Sequence, residues 1–365
     1  MRKELRIAMR DKIDNQLRNE KNKFKKGVLL LAVVTLLIMS MLAGCGNNSD
    51  ELEKNEEGLV EITLCLDWTP NTNHTGFYVA DALGYYKEAG IDITIVQPPE
   101  DGATQCCASG QAQFAITAQD TIAAAFDMEV PLDVTTVGAI LQHNTSCIIG
   151  RAGEGMASPK GLEGKQYSTW ESPIELAMIE HVMKNAGADF DKVILIPNAI
   201  TDEAAALSAK QTDAVWVFYG WSGINAELTG VDCEYWYFKD ISSELDYYTP
   251  VIIANNDFLE KNQQLAKAFM SATQKGYSYA VDNPKEAAEI LIKGDTTGSL
   301  KSNEELVYKS QEWISKQYID DAECFGIIDE ERWNSFYTWL YDNGLTKKNL
   351  TGVGFTNEYL ELESK

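Results

Sequence analysis

VEITLCLDWTPNTNHTGFYVADALGYYKEAGIDITIV, residues 60–96, decides the architecture. VEITLCL is β-rich, HTGFYVADALGYYKEAG has helical spacing closed by Gly90, and IDITIV reads as a second strand. Strand, helix and strand in that order make a parallel βαβ unit. The first corner of that unit carries Asp67, Trp68, Asn71, Asn73 and His74, a large supply of stacking faces and hydrogen-bonding groups for one turn.

The same grammar continues. DGATQCCASGQA reads as a short helix, QFAITA as a strand, QDTIAAAFD as a helix, and PLDVTTVGAIL and TSCIIG as strands. After a Gly-rich loop at 151–159 it starts afresh with KQYSTW, SPIELAMIEHVMKNAG, VILIP, DEAAALSAK and DAVWVF. TPVIIAN is again strand-like, and residues beyond 256 are helical with polar breaks. The expectation is an α/β protein of two lobes: residues 60–149 and 250–365 form lobe one, residues 150–249 lobe two, and two chain crossings form the hinge. GLEGKQ, near Gly161, has the look of a phosphate loop but lacks the first glycine and the final Ser or Thr, and reads as a turn.

Lys23, Lys25 and Lys26 precede an apolar run too short to span a bilayer, followed by Leu42-Ala43-Gly44-Cys45. Residues 1–44 are expected to be an export signal, with LAGC resembling a bacterial lipobox whose Cys45 is lipidated. Residues 45–59 read as a flexible tether. Removing 1–44 takes 10 of 31 basic and 4 of 55 acidic residues, so 321 residues with a formal net charge of −30 remain. Such a body is repelled by phosphate backbones, and nucleic acid is excluded as a partner. Cys65, Cys106, Cys107, Cys147, Cys233 and Cys324 are scattered without a CxxC pair, so mostly free buried thiols are expected, with no zinc site.

In open α/β sheets ligands gather beyond the carboxyl ends of strands. Besides the first corner, Gln119-Asp120, Gln142-His143-Asn144, Trp170-Glu171, and Tyr219 with Trp221 each follow an apolar strand. Aromatic faces and paired donors and acceptors suit a small flat heterocycle. Capping explains Asp120 equally well, a loop role His143, and a helix dipole Glu171. His181, Trp216, Trp236, Trp313, Trp333 and Trp339 fall where packing is expected.

LDWTPNTNHTGFYVADALGYYKEAGIDI, AILQHNTS, YSTWESPIE, WVFYGWSGINAE and LDYYTPVIIANNDFL, in order over residues 60–290, resemble the thiamine-precursor-binding family of bacterial solute receptors. The resemblance implies a type II periplasmic-binding-protein fold that closes on a thiamine-type pyrimidine, of the formylaminopyrimidine or hydroxymethylpyrimidine kind. It further implies delivery to the permease and ATPase subunits of an ABC importer. It suggests Trp68, Asn73 and His74 in lobe one, Trp170, Glu171, Tyr219 and Trp221 in lobe two, and Asp246 and Tyr247 at the return crossing. Asp67, Gln119 and Gln142 complete the expected ligand-binding set. Ser222 stands where relatives often carry a carboxylate, which leaves another heterocycle, riboflavin-like or a modified pyrimidine, open.

The family is related to eukaryotic pyrimidine synthases that consume their own histidine, with His74 at the matching place. Those synthases carry a cysteine-rich run where this chain has ELDYYTP, so the expectation is a receptor and not an enzyme. No cofactor or metal is expected. The protein is expected to be a monomer, lipid-anchored on the extracytoplasmic face of the cell membrane.

Overall fold

A computed structural model describes Leu52 and residues 54–198 and 200–362. The expected signal segment and Cys45 lie outside the described residues. The strands are β1 (Val60–Cys65), β2 (Ile91–Val96), β3 (Phe114–Thr117), β4 (Val134–Ala139), β5 (Ser146–Arg151), β6 (Gln166–Thr169), β7 (Ile194–Pro197), β8 (Ala214–Phe218), β9 (Cys233–Tyr237) and β10 (Val251–Asn255). They form two sheets of five, ordered β2-β1-β3-β10-β4 and β7-β6-β8-β5-β9.

In the first sheet β1 runs parallel to β2 and β3, while β10 is antiparallel to β3 and β4. In the second, β6 is parallel to β7 and β8, and β5 is antiparallel to β8 and β9. Interior strands such as FAIT and VIIAN are buried at every position because helices cover both faces. The outermost strand β7 is exposed at most of its positions.

This topology fixes where a cleft can lie. The chain leaves β4 at its carboxyl end and enters β5 at once; it leaves β9 at its carboxyl end and returns to β10. The carboxyl edges of β1–β4 and of β6–β9 therefore face each other across the two crossings. Those crossings are stitched together: the Asn144 amide donates to Asp246 Oδ1 at 2.9 Å, Asn144 Nδ2 to the Leu245 carbonyl at 2.8 Å, and the Ile140 amide to the Pro250 carbonyl at 3.0 Å.

Three expectations are corrected. The first crossing is at 140–145 and not 149/150, because β5, expected in lobe one, pairs with β8 and β9. The helix expected up to Gly90 is two, Thr75–Ala82 and Tyr85–Glu88, because Gly84 takes a left-handed φ of 78° between them. The tail does not belong to lobe one alone. Helix Glu304–Ile314 touches Thr72 through Ser310 (Oγ to Oγ 2.6 Å) and the second lobe through the Tyr219–Trp313 ring contact at 5.3 Å. Helix Glu330–Asp342 buries Trp333 and Phe336 near the hinge, and its Trp339 Nε1 donates to His181 Nδ1 at 3.3 Å. One apolar core thereby runs through both lobes. Cys65, Cys106, Cys107 and Cys147 are buried thiols outside any disulfide.

Candidate functional site

The corner after β1 is rigid for local reasons. Asn71 caps the turn Thr72–His74 by accepting the Asn73 amide at 2.9 Å, and its own amide donates to His74 Nδ1 at 3.2 Å. Since Nδ1 accepts, the ring proton sits on Nε2, which donates to Asp67 Oδ1 at 2.8 Å. His74 is 0% exposed with both nitrogens used, so it is no ligand contact. Its effect is to aim Asp67, whose side chain is 33% exposed. Asn73, half-buried, gives its carbonyl to Tyr277 Oη at 2.6 Å. Trp68, by contrast, is 66% exposed on the facing edge.

Two expected amides are structural. Gln119 is buried, its Nε2 donating to the Trp333 carbonyl at 2.8 Å and its Oε1 accepting the Tyr248 amide at 3.0 Å. It ties the end of β3 to the hinge. Gln142 is likewise buried, with Nε2 donating to the Ile327 carbonyl at 3.1 Å and its own carbonyl held by Arg332. Beside Gln119, Asp120 opens helix Gln119–Asp127 and accepts the Thr121 amide at 2.8 Å. Burial pushes its carboxyl above the ordinary range, although hydrogen bonds from Thr121 and the Tyr247 hydroxyl pull the other way. Tyr247 is itself buried, stacked on Phe336 at 4.2 Å, and contributes a hydroxyl to Asp120 but no free face.

At the hinge Asp246 accepts from His143 Nδ1 at 2.6 Å and lies 3.6 Å from Arg332 Nε. Burial works to raise the Asp246 carboxyl, but His143, the Asn144 amide and Arg332 together hold it below the usual range. Its pairing makes Asp246 a clasp between the crossings and not a free acceptor.

In the second lobe Trp170 is 50% exposed after β6, its ring 5.8 Å from the buried Trp216. Glu175 shapes this corner. It is 3% exposed and accepts from Tyr167 Oη (2.6 Å), Thr169 Oγ1 (3.0 Å), the Trp170 amide (3.1 Å) and the Ser172 amide (3.3 Å). Glu171, exposed, takes a left-handed φ of 59°, a strained conformation for a side-chain-bearing residue. The residue pattern Ser172-x-x-Glu175 is a capping box and was the available signal for Glu175.

After β8, Phe218 is 40% exposed and was missed because it reads as the last strand residue. Tyr219 is buried with its hydroxyl on Glu227, and is a packing residue. Trp221, half-buried, packs against the apolar group of Leu291, Leu300 and Val307 alongside Tyr78, so it joins the lobes. Ser222 hydrogen-bonds Glu203, whose carboxyl is raised by burial. Among the described residues no group of His, Cys, Asp and Glu is arranged for a metal ion. Exposed at the two facing edges are Trp68, Trp170 and Phe218, and the carboxylates Asp67, Asp120, Glu171 and Glu203 stand at strand-end corners of the same edges.

The sequence pattern of the family described as NMT1/THI5 like matches residues 71–287, more than half of the chain. A formylaminopyrimidine-binding protein of Halalkalibacterium halodurans is 27% identical over 312 residues, covering 84% of this chain and 91% of that protein. A 4-amino-5-hydroxymethyl-2-methylpyrimidine phosphate synthase of Saccharomyces cerevisiae is 24% identical, covering 82% and 88%. Among solved structures, the periplasmic aliphatic sulphonate binding protein of Escherichia coli superposes with a TM-score of 0.60 at 14% identity, covering 79% of this chain and 94% of that one. That likeness identifies the fold as the one used by periplasmic binding proteins.

Proposed function

Because the chain belongs to the NMT1/THI5-like family, we propose that it is an extracytoplasmic solute receptor of an ABC importer, closing two lobes on a thiamine-type pyrimidine. The observation that carries this reading is the exposure of two indoles, Trp68 (66%) and Trp170 (50%), on the facing carboxyl edges of different sheets. Trp216, Trp236, Trp333 and Trp339 are buried and Trp221 and Trp313 half-buried, so these two stand apart from the other six. A planar ring docks on one indole; closure brings the other over it, and the ligand favours the closed state by its extra affinity for it.

The synthase reading is the weaker one. His74, the residue such an enzyme would consume, has no exposed surface and no free nitrogen. The reading also includes a lipid on Cys45, attachment to the membrane, and action as a monomer that hands its ligand to a permease. Among the described residues no helix is long and apolar enough to cross a membrane.

Titration with formylaminopyrimidine, followed by tryptophan fluorescence, tests the claim. Trp68→Ala and Trp170→Ala should each weaken binding by about 1–3 kcal/mol, as loss of a stacking partner does, with Tm unchanged. Undiminished affinity in both variants would sink it. Intact-mass measurement should show the ligand returned unaltered and the protein's mass unchanged.

A further inference from the structure

We infer that the cleft selects an electropositive, N–H-bearing aromatic heterocycle and turns away phosphorylated or sulfonated ones. This rests on the receptor reading above and adds the charge class of its ligand.

The strand-end corners outside the hinge crossings, residues 67–74, 97–102, 118–121, 170–175, 198–203 and 219–223, contain no Lys or Arg. They do contain carboxylates from both lobes. Glu175 is closed off by four donors. Asp67, Asp120, Glu171 and Glu203 have no Lys or Arg ion-pair partner among the described residues. The cations nearest the crossings are otherwise engaged: Arg332 on Asp246 and the Gln142 carbonyl, Lys239 over the Tyr237 ring at 5.8 Å.

An anion needs N–H groups, and helix starts usually supply them when arginine and lysine do not. At three of these corners the chain's own acids hold those places. Asp120 accepts the Thr121 amide, Glu175 the Trp170 and Ser172 amides, and Asp202 the Ala205 amide at 2.9 Å. A phosphate entering the cleft would find those three helix ends already paired with carboxylates and like charges beside it. An aminopyrimidine instead brings N–H donors to carboxylates that no Lys or Arg neutralises. Burial already pushes Asp120 and Glu203 upward, a cost that an N–H donor relieves and an anion increases. The aromatic faces of Trp68 and Trp170 act in the same sense, since indole faces attract positive charge.

The test is calorimetric titration of the protein with 4-amino-5-hydroxymethyl-2-methylpyrimidine and with its phosphate monoester, at low and high salt. The ester should bind at least about tenfold more weakly at low salt, with a gap that narrows as salt screens the carboxylates. Glu203→Gln and Asp120→Asn, each checked for an intact melting transition, should narrow the gap at low salt. An ester that binds as tightly as the free pyrimidine overturns the inference, as does a gap that neither variant changes. If neither pyrimidine binds, the receptor reading fails on its own, and the charge rule is then judged with phenethylammonium against benzenesulfonate. Tighter binding of the sulfonate, or binding of neither, overturns it.

Discussion

Glu175 and His74 show how buried polar residues serve this cleft without touching its contents. A carboxylate that accepts from two hydroxyls and two amides places the Trp170 backbone before any ligand arrives. Glu175→Gln keeps the shape but turns an NH2 group toward donors, leaving a buried pair unmatched. The expected cost is about 1–3 kcal/mol of stability in thermal unfolding, accompanied by weaker pyrimidine binding as Trp170 loses its fixed position. Full stability and full affinity in that variant would show the corner to be held by the strand alone. His74 has the corresponding role for Asp67, through a tautomer dictated by the Asn71 amide.

Between elements, the closest approach in lobe one is a helix crossing made of two glycines. A Cβ on Gly76 would lie 2.1 Å from the Tyr277 ring, and one on Gly276 would lie 2.1 Å from the Gly76 carbonyl oxygen. Helix Thr75–Ala82 therefore rests backbone to backbone on helix Gln263–Asp282, which sets the height of the corner carrying Trp68. Gly76→Ala must push the helices apart, at an expected cost of about 1–3 kcal/mol, despite alanine's better helix propensity. Differential scanning calorimetry checks it: an unchanged or raised Tm would mean that the crossing gives way freely. The glycines stand out in the sequence, but nothing there says that they meet.

Across the molecule, the two crossings act as one hinge because His143, Asp246 and Arg332 join them, with Asp321 3.5 Å from His143 Nε2. The hydrogen bond to Asp246 raises the His143 pKa, with burial and the Arg332 and Lys239 charges opposing. Raised in the folded state, His143 contributes stability that is fully present below about pH 6.5 and lost as pH rises through the folded value. Asp246, held low, contributes above about pH 3.9 and loses its share as pH falls through its folded value. Between those limits the clasp is complete. The Tm deficit of His143→Gln relative to the parent should accordingly be larger at about pH 5.5 than at about pH 8.5. The comparison cancels His181, whose pKa burial lowers in both proteins. An equal deficit at the two pH values would remove the charge from the account.

The alternation of apolar strands and amphipathic helices was enough to establish two α/β lobes and a two-crossing hinge, because hydrophobic period reports local geometry directly. Strand-end position was likewise enough to nominate Trp68 and Trp170. Position does not report direction: Gln119, Gln142, Trp221 and Tyr247 share the same corners but spend polar atoms or faces on distant partners, while His74 and Tyr219 turn theirs to Asp67 and Glu227 nearby in the chain. The distant partners, Trp333, Ile327, Phe336 and the apolar group around Leu300, come from the tail, far away in the chain. Which groups stay open to a ligand is therefore decided by long-range packing, since burial is a property of what the rest of the chain places on top of a residue.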